Sequence, residues 1–197
     1  VFISSGGTVY GLPQLDQVRE DHPTNPICAY GVTKLGAEKY LHLYSYLHGL
    51  ESVIIRPSTP YGPGQNPARR QGAVAVFINR ALNSQAITIW GDGSSVRDYF
   101  YVEDMIGPLL AAMDVPVSGP TIFNIGGAKG YSLVQLVDEI EKHLDIKLSV
   151  NFETSRKFDV PKLKLDCTLA EEHLSWYPKT NLQDGIRRTT AWMTSIL

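Results

Sequence analysis

The sequence predicts an α/β fold built on a mainly parallel sheet, and three observations carry that prediction. Short β-branched runs, "VFISS", "SVIIRP", "AITIWG" and "TIFNIGG", alternate along the chain with longer segments of helical pattern. These runs are apolar nearly throughout instead of at every second residue, which is how strands covered on both faces read. The 197 residues are 43% hydrophobic and 19% charged, enough apolar material for a packed core.

Taken in order, residues 1–5 read as a buried strand, followed by a glycine turn at "GGTVYG" and a loop over 11–29 marked by Pro13, Pro23 and Pro26. Residues 30–48 favour helix, and Gly49 supplies its stop. Leu35, Leu41, Leu43, Tyr44 and Leu47 cover more than one face, so two neighbours are expected, the helix's own sheet and a second subunit. Residues 52–57 read as a parallel strand and "STPYGPGQNP" as a loop. Helices are expected over 73–83 and 102–113, with strands at "AITIWG" and "TIFNIGG". Ser132 and Gln135 have capping-box spacing before a helix whose buried stripe is Leu133, Leu136, Val137, Ile140 and Leu144. "KLSVNFE" reads as strand, Thr168 with Glu171 opens a short helix, and 182–196 is the last helix.

Composition weighs against several classes of function. A net charge of −2 offers no basic field for nucleic acid or an anionic membrane surface. No apolar run approaches the roughly 18 residues of a membrane span. Cys28 and Cys167 lie far apart and the five histidines show no paired ligand spacing. No metal site is therefore expected, and the thiols read as free, as in a cytoplasmic protein.

The stretch "NPICAYGVTK", residues 25–34, places Tyr30 and Lys34 one helical turn apart, where they can share a site. A free phenol, with a pKa of about 10, is a poor base at neutral pH, and a neighbouring ammonium favours the phenolate. Two glycine-rich pieces, "GDGSSV" and "IGGAKG", read as turns. The first breaks the GxGxxG pattern at Val96, and the second has the wrong glycine spacing and no clear acidic residue about 20 positions on.

The segments "FISSGGTVYG", "AYGVTK" and "IIRPSTPYGPG" follow one another with strand, helix and strand around them. With "WGDGSSVRDYFYVEDM", "FNIGGAKGYSLVQLVDEI" and "DVPKLKLDCTLAEEHLSWYPKTNLQDGI", they resemble the extended short-chain dehydrogenase/reductase family, specifically its NAD-dependent epimerase/dehydratases of nucleotide sugars. The resemblance runs essentially from Val1 to Leu197. It implies the C-terminal part of a Rossmann-type doubly wound parallel sheet, residues 1–61 rejoined by about 97–126, plus a smaller mixed α/β substrate-binding lobe of 62–96 and 127–197.

The resemblance also implies roles. NAD is the expected cofactor, beside Ser4, Ser5, Tyr30, Lys34 and Pro57. Tyr30 is the expected general base and acid, with Lys34 as its electrostatic partner and a ligand of the nicotinamide ribose. Many relatives carry a helping hydroxyl where this chain has Gly6; Ser5 is assigned that role, with Thr8, also a substrate contact, as the alternative. Arg97 and Arg156 are assigned to a diphosphate, whose oxygens suit forked guanidiniums, although Asp98 and Glu103 are competing local partners for Arg97. Lys157 and Phe158 replace the Pro-Gly frequent between that second arginine and Asp159, which is placed near the nucleoside ribose. Thr59 stands where an asparagine often meets the diphosphate, and Thr88 and Trp90 flank the base.

The activity implied is 4-epimerisation of a nucleoside-diphosphate sugar of the UDP-glucose/UDP-galactose type, by a homodimer joined through the 31–48 helix. The alternatives are 4-ketoreduction or decarboxylation on the same fold, or a non-catalytic nucleotide-sugar-binding fragment. Relatives that dehydrate a sugar usually carry an Asp-Glu pair at "SGGT", which has no carboxylate. The glycine fingerprint that holds a dinucleotide pyrophosphate is not in these 197 residues, and "VFISS" opens in mid-core. Roughly a hundred further residues are therefore expected upstream, and the isolated chain is expected to be inactive.

Overall fold

A computed structural model describes residues 1–66, 72–116, 121–127, 129–156 and 160–196. In chain order the elements begin with β1 (Phe2–Ile3), α1 (Gly6–Val9), α2 (Ala29–His48), β2 (Val53–Pro57), β3 (Thr59–Tyr61), α3 (Ala73–Leu82), β4 (Ile87–Trp90), β5 (Val96–Arg97) and β6 (Tyr99–Tyr101). A 3-10 turn at Val102–Met105 leads into α4 (Ile106–Ala111). Then come β7 (Thr121–Ile125), β8 (Tyr131–Ser132), α5 (Leu133–Leu144), β9 (Val150–Glu153), β10 (Lys162–Leu163), α6 (Thr168–Leu174) and α7 (Leu182–Ile196).

Three parallel strands in the order β1-β2-β7 form the principal sheet, with Ile54 level with both Phe2 and Ile122. β3 with β6 and β4 with β9 are parallel pairs, and β5 lies between parallel β10 and antiparallel β8. The fold is therefore α/β and mainly parallel, as the alternating pattern predicts. All five residues of β2 are buried, which is why its sequence does not alternate.

Several expectations change. The first strand is shorter than 1–5, because Ser5 leaves it to precede α1, and "GGTV" is one turn of helix where the sequence reads as a glycine turn. Gly6 permits that turn to press on β2: a Cβ there would lie 2.8 Å from the Arg56 carbonyl oxygen. The helix expected over 102–113 divides into 3-10 and α parts. Pro108 has no N–H for the Asp104 carbonyl four residues back, and the Trp176 indole N–H takes that acceptor at 2.6 Å. Thr168, expected with Glu171 to cap α6, is instead its first helical residue; Cys167 is the N-cap and makes no side-chain capping bond, while the Asp166 carboxylate accepts from the Thr168 N–H at 2.9 Å. The capping box of α5 forms as predicted, Ser132 Oγ accepting from Gln135 N–H at 3.1 Å and Gln135 Oε1 from Ser132 N–H at 2.9 Å. β3, β5, β6, β8 and β10, each of two or three residues, are not legible as strands.

Apolar side chains gather in two large clusters. One joins Phe77, Ile78, Ile87, Ile89, Leu136, Ile140, Ile186 and Met193 between α3, α5, α7 and β4. The other packs Val53, Ile55, Phe123 and Ile125 of the principal sheet against Ala170, Leu174 and Trp176, residues that the sequence-based division assigns to the second lobe.

α2 is held differently. Its buried residues are Gly31 and Glu38, while Tyr40, Leu43, Tyr44 and Leu47 stay exposed. Glu38, 4% exposed, accepts from Arg56 of β2 at Nη2 (2.6 Å) and Nε (3.0 Å), and from the Ser4 hydroxyl. Arg56 Nη1 donates to Tyr10 Oη at 2.9 Å, and Tyr10 donates to Asn124 Oδ1 of β7 at 2.7 Å. Asn124 Nδ2 in turn donates to the carbonyls of Val18 (2.9 Å) and Asp166 (3.2 Å). Burial, opposed by Arg56, pushes the Tyr10 phenol up to about 12, so it stays neutral and can donate.

Removing one member of a buried pair strands the other charge, so Arg56→Met is expected to cost about 3–5 kcal/mol of stability in urea unfolding. Lys142→Ala, which breaks an exposed pair with Glu139, should leave the midpoint nearly unchanged.

Candidate functional site

The strands of the principal sheet run parallel, so their carboxyl ends share one edge, where open α/β sheets bind ligands. Ser5 follows β1, Pro57 ends β2 with Ser58 next, and Gly126 follows β7. The first turn of α2 is brought to the same edge. Gly31 makes this approach possible, since a Cβ there would lie 2.9 Å from the Thr8 carbonyl oxygen. Tyr30 is 56% exposed, and the Lys34 ammonium lies 5.8 Å from its ring centroid. Lys34 also donates to the Ile3 carbonyl at 2.8 Å and sits 5.1 Å from the Phe2 ring.

Beside this pair is a hollow of about 300 Å³ lined by Ser5, Thr8, Cys28, Ser58, Thr59 and Arg97 among others. Its lining includes Cys28, which precedes α2, but not Tyr30 or Lys34. Ser5 makes no capping bond to α1, and Thr8 Oγ1 is buried without a hydrogen-bond partner among the described residues. A buried hydroxyl left without a partner costs free energy, which a ligand oxygen would recover.

A second cavity, of about 480 Å³, adjoins the first, and both are lined by Thr59 and Arg97. Its walls include Phe77 and Arg80 from α3, Thr88 and Trp90 from β4, and Arg156. The Arg156 guanidinium lies 4.4 Å from the Trp90 ring centroid, a cation–π contact on a ring that is 42% exposed.

The competing partners of Arg97 are engaged elsewhere. Asp98 turns inward, where its Oδ2 accepts from the Leu165 N–H at 3.0 Å and its carbonyl accepts from the Ser58 hydroxyl at 2.6 Å. Glu103 pairs with Arg188 at 3.5 Å. Burial pushes the Asp98 carboxyl up to about 7, against the Leu165 hydrogen bond, and its Oδ1 has no partner among the described residues. Burial also raises the Cys167 thiol, with Asp98 adding to the effect.

The two glycine pieces are turns or close contacts. Gly91 and Gly93 have φ of +84° and +78°. In "IGGAKG", a Cβ at Gly126 would meet Asp98 Oδ2 at 2.3 Å and one at Gly127 the Tyr99 carbonyl at 2.3 Å. Protein atoms already occupy that side, which accounts for the glycines without a phosphate.

The structure thus brings Ser5, Thr8, Thr59, Thr88, Trp90, Arg97 and Arg156 into two joined cavities, with Tyr30 and Lys34 at the same sheet edge. Pro57 is buried at the end of β2. The Ser4 hydroxyl is directed to Glu38 and belongs to the buried network, not to an open cofactor surface. Asp159 lies outside the described residues. Sequence reasoning missed Ser58, Cys28 and Arg80. For Arg80 a signal existed: it continues the i, i+4 series of Gly72 and Val76 along one face of α3.

Among the described residues no group of three His, Cys, Asp or Glu side chains could hold a metal. For a dinucleotide the donors suit the nicotinamide half. A phenol, an ammonium and an unpartnered hydroxyl stand at the carboxyl edge of the sheet, whereas the chain has no glycine cradle for the pyrophosphate.

Comparisons with known proteins agree with this geometry. Residues 1–126 match the model of the NAD dependent epimerase/dehydratase family. A UDP-glucose 4-epimerase of Mycolicibacterium smegmatis is 36% identical over 189 residues, 96% of this chain and 60% of the relative. The structure of a Thermotoga maritima UDP-glucose 4-epimerase with UDP-glucose superposes with a TM-score of 0.94 at 34% identity, covering 99% of this chain and 63% of that one. A Bacillus cereus UDP-glucuronic acid 4-epimerase in complex with UDP-glucuronic acid and NAD gives 0.92 at 30% identity, covering 99% and 61%. The chain spans about 60% of the length of the curated relatives it matches.

A carboxyl whose folded pKa exceeds its unfolded value holds its proton longer in the native state. The contribution of Asp98 is therefore complete below the ordinary aspartate range and is lost as pH rises through about 7. Asp98→Asn, which mimics the protonated acid, should gain in stability relative to the wild type as pH rises from about 4 to 7, measured as the difference between urea midpoints. A constant difference across that range would contradict the buried, titrating carboxyl.

Proposed function

The chain belongs to the NAD dependent epimerase/dehydratase family, and from that premise we propose that it is the substrate-side portion of a nucleoside-diphosphate-sugar 4-epimerase of the UDP-glucose/UDP-galactose type. The observation that carries this reading is the junction of the two cavities at Thr59 and Arg97. A nucleotide sugar has the matching shape, a diphosphate linking a sugar to a nucleoside. The sugar occupies the hollow of Ser5 and Thr8, the diphosphate lies at Arg97 with Arg156 nearby, and the nucleoside runs along Thr88 and Trp90.

Within that arrangement each side chain has a task. Tyr30, as phenolate, takes the proton of the sugar 4-hydroxyl and gives it back to the 4-oxygen at the end of the cycle. Lys34, with its ammonium beside the ring, stabilises the phenolate that Tyr30 presents before it takes the proton and again after it has returned it. Its contact with the Ile3 carbonyl holds it at the sheet edge, where it can also meet a cofactor ribose. Ser5 or Thr8 donates to the 4-oxygen; the unpartnered Thr8 Oγ1 makes Thr8 a full candidate beside Ser5. Arg97 and Arg156 anchor the diphosphate while the sugar ring presents either face. NAD, when bound, supplies the acceptor and donor of the C4 hydride. The absence of a carboxylate from "SSGGT" favours epimerisation over dehydration.

The same reading includes a homodimer in the cytoplasm. The exposed Tyr40, Leu43, Tyr44 and Leu47 of α2 support the subunit contact, and the free thiols of Cys28 and Cys167 support a reducing compartment.

In the full-length protein, Tyr30→Phe should lower conversion of UDP-glucose to UDP-galactose by about 100-fold or more, as loss of a general acid–base does, while UDP still binds. Turnover within about tenfold of wild type would contradict the role. Arg97→Ala should weaken UDP binding by about 1.5–3 kcal/mol in calorimetry, the range for a hydrogen bond to a charged group.

A further inference from the structure

The larger cavity holds one cation more than a diphosphate needs. Arg97 and Arg156 match one charge per phosphate, yet Arg80 lines the same cavity, and among the described residues its side chain makes no hydrogen bond, ion pair or ring contact. A guanidinium has only donors, so the group it meets must present acceptors.

The position of Arg80 narrows what that group is. α3 turns one face to the cavity, apolar until Arg80 in its last turn. The Arg80 carbonyl accepts from the Gln85 N–H at 2.8 Å, which sets Arg80 just before β4 begins at Ile87. Trp90 ends that strand, and the chain then passes through Ser95 to Arg97, the residue shared with the hollow. Three residue steps of extended chain separate the two ends of β4, roughly 10 Å. A nucleotide whose diphosphate lies at Arg97 therefore directs its base along β4 toward Arg80.

Resting on the nucleotide-sugar reading above, we propose that Arg80 selects the nucleobase by donating to a ring carbonyl oxygen. Uracil and thymine present that oxygen at the 4-position. Cytosine presents an amino donor there, which faces the guanidinium N–H groups without a bond and leaves both unsatisfied. UDP and CDP have nearly the same shape, so cavity size contributes little to the distinction. Arg80 acts on which nucleotide is held, and the chemistry at Tyr30 does not depend on it.

Calorimetry of the full-length protein with UDP and with CDP tests the proposal. Arg80→Met is the main variant, because it keeps the apolar stem, and Arg80→Gln is the second. Wild type should prefer UDP by about tenfold or more, the scale of one charge-assisted hydrogen bond. Both variants should lose about tenfold in UDP affinity and change less than about twofold toward CDP, so that the preference disappears. An unchanged UDP/CDP ratio, or equal losses for the two nucleotides, would overturn the base-selecting role and leave the nucleotide-sugar reading intact. Absence of UDP binding by the wild type would overturn both.

Discussion

The Glu38–Arg56 ion pair is the interaction on which the rest of the site depends. Both residues are nearly inaccessible, and the guanidinium meets the carboxylate through two hydrogen bonds. α2 lacks the continuous apolar stripe by which most surface helices are attached, and many of its large apolar side chains face outward. Tyr30, Lys34 and Glu38 recur every fourth residue, so the face anchored by Glu38 also carries the phenol and the ammonium. Successive turns of that face meet successive residues of the strand end, Lys34 at the Ile3 carbonyl and Glu38 at the Ser4 hydroxyl. Ser5 is next in the chain. Directional polar contacts thus fix the height of Tyr30 relative to the Ser5 hydroxyl, whereas apolar packing would allow the helix to slide.

The same economy of space shapes the opposite wall. Gly126 lets the end of β7 close on Asp98, and Asp98 binds the Leu165 N–H while its carbonyl receives Ser58. Arg97, the adjacent residue, can then lie between the two cavities. Asp98 lies between β5 and β6 with its carboxyl turned inward, while Arg97 at the end of β5 lines both cavities, so neighbouring residues of opposite charge serve the core and the site.

The legible parts of the fold were those with length or a local chemical signature. The boundaries of α2, α3, α5 and α7 follow from helical periodicity, and the capping box of α5 from Ser132 and Gln135 alone. Strands of two or three residues cannot show a period, so β5 and β10 read as loop although they position Arg97. In the site, Tyr30 and Lys34 were visible through spacing and family resemblance. Glu38 was hidden, because a glutamate in "GAEKY" looks like solvent-facing helix. The signal lay in its partner: Arg56 interrupts the apolar run "VIIRP", and a charge inside a buried strand requires a counter-charge. The contact of the Ser4 hydroxyl with Glu38 was hidden for the same reason, since a partner on a separate helix could not be read from one dimension.

The central claim is that this geometry serves reversible chemistry at the sugar C4, with the hydrogen removed and restored inside a closed cycle. The direct measurement is the fate of a deuterium label at C4 of UDP-glucose incubated with the full-length protein and NAD. The account predicts UDP-galactose that retains the label at C4, with no accumulation of free reduced cofactor. Loss of the label to solvent, its appearance in free reduced cofactor, or a product reduced or decarboxylated instead of epimerised would contradict it.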